Sequence, residues 1–120
     1  MDEKIRFGIL IPQIVPIPQV IEQCQLVETI GYDSIWLFDQ FYNPLRLDDP
    51  LWEAWTLLSA VACQTSRIRL GTLVTNFIYR NPALVASQAL TIDQLSNGRL
   101  ELGLGTGFSL KDHLMTGSEA

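Results

Sequence analysis

The sequence predicts an α/β domain on a parallel sheet. Four short apolar runs rich in branched residues begin at Ile5, Ser34, Ile68 and Leu100, and stretches with apolar residues at helical intervals lie between them. The runs recur at a spacing on the order of thirty residues, the length of one strand–helix unit. Near-continuous apolar strands joined by amphipathic helices belong to a sheet covered on both faces and wound with right-handed crossovers. Two architectures carry this order. One is an open doubly wound sheet. The other is the N-terminal half of a (β/α)8 TIM barrel, about four parallel strands with three connecting helices, the full barrel needing about 250 residues. In either one, chemistry gathers beyond the C-terminal strand ends.

The first strand is expected over residues 5–11, ahead of Pro12. A helix follows over 17–30, with Val20, Ile21, Cys24, Val27 and Ile30 on one face. Pro18 suits its first turn and Gly31 a left-handed C-cap. Residues 34–39 are the second strand, and 40–49, with Asn, Pro and two Asp, a loop. Asp48 or Asp49 is expected to cap a helix over about 50–65, with Pro50 at its first position. Leu51, Trp55, Leu58 and Ala62 form its apolar face, widened by Trp52 and Val61; the tryptophans read as core packing. The third strand spans 68–75, followed by a loop over 76–80. Asn81-Pro82 opens a helix to about Leu95, and Asn97-Gly98 ends it. The fourth strand spans 100–105; from Gly107 onward the pattern thins and no further element is expected.

Composition removes several function classes. Apolar residues make up 48% of the 120 residues and charged ones 18%, which excludes a disordered acidic tail. A net charge of -5 and eight unclustered Lys and Arg argue against nucleic acid or an anionic membrane surface as partner. No apolar run is long enough for a membrane span, and the start, MDEKIR, does not resemble a signal peptide. Cys24 and Cys63 form no CxxC motif, and His113 is the one histidine, so no metal site is expected. Two buried free thiols in a reducing cytoplasm are the expected state of the cysteines.

The strand ends hold the candidate site residues. Asp39 closes an apolar run, where a carboxylate can hold a proton, orient a polar ligand edge or cap a turn. Gly71-Thr-Leu-Val-Thr-Asn76 places a glycine inside a strand and polar groups at its end, the mark of a bulge or a close backbone approach. Gly103-Leu-Gly105-Thr106-Gly107 lets a ligand approach the backbone or serves a tight turn; it is not a GxGxxG fingerprint. Arg80 is expected as a solvated loop charge rather than an anion contact, and His113 as solvent-facing.

The segments GYDSIWLFDQF, RIRLGTLVT, the Arg80-Asn-Pro-Ala-Leu84 helix start and LSNGRLELGLGTG together resemble the luciferase-like monooxygenase family, over about residues 5 to 113. Within it the segments look most like the deazaflavin (coenzyme F420) dependent oxidoreductases. The resemblance implies the barrel alternative, with this chain as one partial domain, residues 1–120, carrying strands one to four. It implies a cytoplasmic oxidoreductase or monooxygenase of a small-molecule substrate, a homo-oligomer, with F420 as cofactor or else FMN. It implies a cis Leu73-Val74 peptide within a bulge behind the cofactor ring. It places cofactor contacts on Leu73, Val74, Asn76, Gly105, Thr106 and Gly107, and catalytic roles on Asp39 and Gln40. Many deazaflavin relatives carry Asp-His where this chain has Asp39-Gln40. Glutamine cannot exchange a proton near neutral pH, so Gln40 is expected to orient by hydrogen bonding.

The strands of the second half of such a barrel lie outside these residues. The alternative to an enzyme is therefore a truncated half-barrel, or a self-associating scaffold, that binds no cofactor alone. A four-stranded piece with two open edges and apolar faces is expected to associate. Sedimentation of the chain should show dimers or larger species; a compact monomer that binds no ANS contradicts this.

Overall fold

The structure, a computed structural model, describes residues 3–119. Its elements are β1 (Gly8–Leu10), α1 (Ile17–Thr29), β2 (Ser34–Leu37), α2 (Ala54–Gln64), β3 (Arg69–Asn76), a 3-10 turn (Phe77–Tyr79), α3 (Pro82–Leu95), β4 (Leu100–Gly105) and α4 (Leu110–Thr116). All strand pairs are parallel, in the order β1-β2-β3-β4. A doubly wound sheet reverses its strand order at a switch point. The sequential order is that of a barrel segment.

Side-chain alternation sorts the two faces of the sheet. Ile35, Leu37 and Leu70 are fully buried against Val20 and Cys24 of α1 and Leu58, Val61 and Ala62 of α2. Each such side chain contributes about 1.5–3 kcal/mol relative to an exposed one. Trp36, Gly71 and Glu101 lie across from one another on the other face. A Cβ on Gly71 would meet the Glu101 carbonyl and, at 3.2 Å, the Trp36 ring. This glycine is therefore fixed by strand-to-strand packing.

Helix ends follow the sequence signals in most places. Asn81 caps α3 by accepting from the Ala83 N–H at 2.8 Å, with Pro82 in the first turn. Gly31, Asn97 and Gly98 take φ of 97°, 58° and 82°, the left-handed turns that end α1 and α3. Three expectations need correction. Helix α2 starts at Ala54, capped by Glu53 rather than Asp48 or Asp49. The Trp52 N–H donates to the Gln13 carbonyl at 3.1 Å and its indole to the Val15 carbonyl at 2.6 Å. Those bonds hold residues 50–52 out of the helix, against the end of β1. A fourth helix, α4, follows β4, capped by Ser109 and ended by Gly117 at φ 69°. Cys63 is exposed near the end of α2, while Cys24 is buried and its thiol pushed up to about 12 by burial. Trp55 is core, as expected.

Two charged side chains replace missing backbone partners. Arg99, buried beneath the end of α2, donates to the carbonyls of Ala62, Thr65, Ile68 and Ser96 and to the Thr65 hydroxyl. It thereby satisfies helix-end carbonyls that have no intrahelical partner. Glu28, in the last turn of α1, accepts from the N–H groups of Ser66, Arg67 and Ile68 at 2.7–3.2 Å. It positions the turn that launches β3.

Burial works to raise the Glu28 carboxyl, but the three N–H groups and Arg67 outweigh it and hold it below the usual range. The unfolded chain therefore binds this proton more readily than the folded one. The stabilisation is present above the unfolded value near pH 4.3 and is lost as pH falls through the lower folded value. Glu28→Gln should lose about 1 kcal/mol at pH 7 and show a shallower acid loss, read by urea melts from pH 7 down to pH 3.

Candidate functional site

The C-terminal ends of β2, β3 and β4 open onto one cleft of about 300 Å³. Asp39, Gln40 and Asn76 supply its polar lining, with Phe38, Leu73, Val74 and Phe108 as apolar walls. Pro44 and Gly107 complete the rim. The geometry thus gathers Asp39, Gln40, Leu73, Val74, Asn76 and Gly107. Gly105, the last residue of β4, and Thr106 after it are not part of this lining.

The Leu73-Val74 peptide is cis, and the β3–β4 register shifts between Thr72 and Thr75. This is the local geometry the resemblance implied. Leu73 is 51% and Val74 40% exposed, two apolar side chains presented to the cleft. Beneath them Thr72 and Thr75, both buried, share a hydroxyl hydrogen bond of 2.6 Å.

Val74 depends on the glycines of β4. A Cβ on Gly103 would lie 3.0 Å from Val74 Cγ1, and one on Gly105 would overlap Val74 Cγ2. Gly105 therefore makes room for a protein side chain, where the sequence suggested close approach of a ligand. Gly107 has φ 75°, and a Cβ there would sit 2.5 Å from Ile78 Cδ1 and 3.0 Å from Asn76 Oδ1. Conformation and space both demand glycine at that rim.

Asp39 is held from two sides. Its Oδ2 accepts the Asn76 N–H at 2.8 Å and Arg80 Nε at 3.2 Å, and its Oδ1 accepts Arg80 Nη2 at 2.6 Å. The same Nη2 donates to Glu53 Oε1 at 2.5 Å. The Arg80 side chain is only 7% exposed, so the solvated loop charge expected from the sequence is instead a buried bridge. Asp39 and Glu53 lie 41 and 27 positions upstream of it, and no local pattern announces them. Burial opposes the charge on Arg80, but its two carboxylates outweigh burial and raise it above the usual value. Glu53 is disfavoured by burial too, yet Thr56, Trp55 and Arg80 hold it below the usual carboxyl range.

Asn76 is equally engaged. Its Oδ1 accepts the Ile78 N–H at 3.0 Å, and its Nδ2 donates to Asp112 at 3.3 Å. Asp112, fully buried in α4, also accepts the Tyr79 hydroxyl. Burial, then that hydrogen bond and the Asp112 charge, push the phenol above its normal range. Tyr79 stacks on Phe41 with ring centres 4.0 Å apart, and Lys111 Nζ lies 4.3 Å from the Tyr42 ring centre. His113 is half-buried on the same helix, its ring 3.1 Å from the Ser118 hydroxyl. Gln13, just past the end of β1, is fully buried. Its carboxamide pairs with both the N–H and the carbonyl of Phe38, extending the β1–β2 contact past the ladder.

Among the described residues no group of three His, Cys, Asp or Glu could hold a metal, and no helix is long and apolar enough to cross a membrane. Among the described residues no Lys or Arg lines the cleft, and most of its walls are apolar. Gly105→Val should push Val74 off its seat and destabilise the chain by about 2 kcal/mol through overpacking. Thermal melting reads the loss, and the Val74 methyl NMR signals should move while those of Val20 stay.

Three known proteins share this arrangement of elements or sequence. A 5,10-methylenetetrahydromethanopterin reductase of Methanolobus tindarius is 34% identical over 101 residues, which is 84% of this chain and 28% of the reductase. An F420-dependent glucose-6-phosphate dehydrogenase of Amycolatopsis mediterranei is 38% identical over 104 residues, 83% of this chain and 30% of the enzyme. Among solved structures, the coenzyme F420 dependent tetrahydromethanopterin reductase of Methanopyrus kandleri superposes with a TM-score of 0.80 at 26% identity, over 95% of this chain and 30% of that one. The chain thus spans less than a third of the length of these relatives and matches the N-terminal part of their fold. The family model for luciferase-like monooxygenases matches residues 5–120, and the chain belongs to that family.

Proposed function

We propose that this chain forms the ring-facing wall of an F420-dependent oxidoreductase acting on a small molecule, in the cytoplasm and as a homo-oligomer. FMN is the second candidate cofactor. The observation that carries the reading is the cleft at the strand ends, floored by exposed Leu73 and Val74 and rimmed by Gly107. An F420-dependent glucose-6-phosphate dehydrogenase at 38% identity and a coenzyme F420 dependent reductase that superposes on the chain favour F420 over FMN. The bound cofactor would supply the redox step, as hydride transfer or oxygen chemistry.

The residues of this chain supply position. Leu73 and Val74 offer a flat apolar surface that excludes water from one face of a ring. Asp39, paired with Arg80, orients the β3 end through the Asn76 N–H. Asn76 acts the same way, by holding the 3-10 turn and α4 in place. Gln40 supplies a hydrogen-bonding edge. On this reading residues 1–120 are the first four strand–helix units of a barrel, and the groups that hold the cofactor phosphate come from further units. A non-catalytic half-barrel is the competing reading.

Fluorescence titration with F420 and FMN tests both. A protein carrying four further strand–helix units behind residue 120 should bind F420 at micromolar concentration, and this chain alone far more weakly. Micromolar binding by this chain would refute a phosphate anchor outside it. Absence of binding by the longer protein would refute the oxidoreductase reading. In the longer protein Arg80→Met should weaken F420 by roughly tenfold or more, since it leaves Asp39 buried and unpaired.

A further inference from the structure

We propose that the groove between α2 and α3 is a binding site for a small uncharged compound carrying neighbouring hydroxyl groups. The proposal is independent of the cofactor reading, since the groove shares no lining residue with the strand-end cleft. Trp55, Thr56 and Ser59 of α2 face Ser87, Gln88 and Thr91 of α3 across a space of about 250 Å³. Positions three and four apart share one helix face, so each helix turns a polar stripe toward the other. Of the chain's three tryptophans, Trp36 donates its indole N–H to Ser34 Oγ and Trp52 to the Val15 carbonyl. Trp55 is the exception. It is 2% exposed, and its Nε1 meets no acceptor among the described residues. In the same groove Gln88 Oε1 is buried and meets no donor among them. Buried polar groups are nearly always hydrogen-bonded, and a bond left unmade is strongly unfavourable.

This donor and acceptor define what fits. An occupant must accept from the indole and donate to the carboxamide oxygen, and a hydroxyl group does both. No charged side chain lines the groove, so nothing there compensates the desolvation of an ion. Ser59 and Thr91 donate to carbonyls one turn back in their own helices and keep lone pairs that can accept. Further hydroxyls on one ligand therefore find partners along the same walls. The space is smaller than the about 300–1,000 Å³ of sites for drug-sized ligands, which limits the ligand to a few carbons. One polyol makes the bonds that separate waters would make, with fewer bodies to order. A second copy of the chain fits less well. The core of an interface between copies is apolar, and most residues of this lining carry a hydroxyl or an amide. Both unpartnered atoms are covered in the chain alone, and rotation of the flexible Gln88 side chain opens them to an occupant.

The test is an NMR titration of the 15N-labelled chain, read on the tryptophan indole N–H signals, with Trp55 assigned by its loss in Trp55→Phe. Erythritol is the probe. Erythronate presents the same carbon frame with a carboxylate, and butan-1-ol the same frame with a single hydroxyl. Erythritol should move the Trp55 proton signal downfield, as an N–H gaining an acceptor does, and saturate at millimolar concentration. The Trp36 and Trp52 signals should stay. Erythronate and butan-1-ol should bind at least tenfold more weakly. Gln88→Leu should bind erythritol at least fivefold more weakly, the loss of one neutral hydrogen bond. No Trp55 shift, equal drift of all the indole signals, or erythronate or butan-1-ol binding as well as erythritol overturns the proposal. Unchanged erythritol binding by Gln88→Leu overturns it too. If Gln88→Leu fails to fold, the comparison of the three compounds on the unaltered chain decides alone. The titration is repeated on diluted chain. A Trp55 signal that moves with chain concentration and not with erythritol assigns the groove to a second copy and overturns the proposal as well.

Discussion

The mouth of this sheet depends on one buried ion bridge, Arg80 between Asp39 and Glu53. Asp39 sits just past β2, Glu53 caps α2, and Arg80 follows the 3-10 turn after β3. One guanidinium therefore ties two strand ends to a helix start. The Asp39 side chain is almost completely buried, and an unpaired carboxylate there would be strongly unfavourable. With Arg80 in place, Asp39 can also accept the Asn76 N–H, and that bond orients the turn that follows. The bidentate fork of arginine suits this task, and a lysine could not reproduce its two separate contacts on Asp39.

A second constraint runs from that turn into α4. Asn76 links the backbone of Ile78 to Asp112, and Tyr79 binds the same carboxylate while stacking on Phe41. The loops after β2 and β3 and the helix after β4 are thereby fastened to each other. The site is built from polar groups that are consumed in holding position. Its free surface is left apolar except for Gln40. This matches the usual make-up of ligand clefts, mostly apolar with a few polar groups that fix orientation.

The glycines of β4 serve the same end by a different means. Gly103 and Gly105 leave space that the Val74 side chain occupies, and Gly107 turns the chain where a Cβ would strike Ile78. A glycine-rich strand end can mark a ligand approaching the backbone or a neighbouring strand approaching it. Here the neighbouring strand occupies the space at Gly103 and Gly105.

The element order from β1 to β4, the parallel sheet, the α3 cap at Asn81 and the left-handed turns at Gly31 and Asn97-Gly98 were all legible in the sequence. They arise from apolar periodicity and from backbone preferences within a few residues of one another. The family was legible in longer motifs, and the cis Leu73-Val74 peptide was an expectation of that resemblance. The tertiary structure alone decided the burial of Arg80, the capping of α2 by Glu53 rather than Asp48 or Asp49, and the use of Asp112 by Tyr79 and Asn76. Each depends on a partner 27 or more positions away, and for the α2 start these partners are Gln13 and Val15, bonded by Trp52. Short-range pattern records which backbone shape a residue favours. Whether a charge is solvated or bridged depends on which distant groups the folded sheet brings beside it, and that is a property of the packed chain.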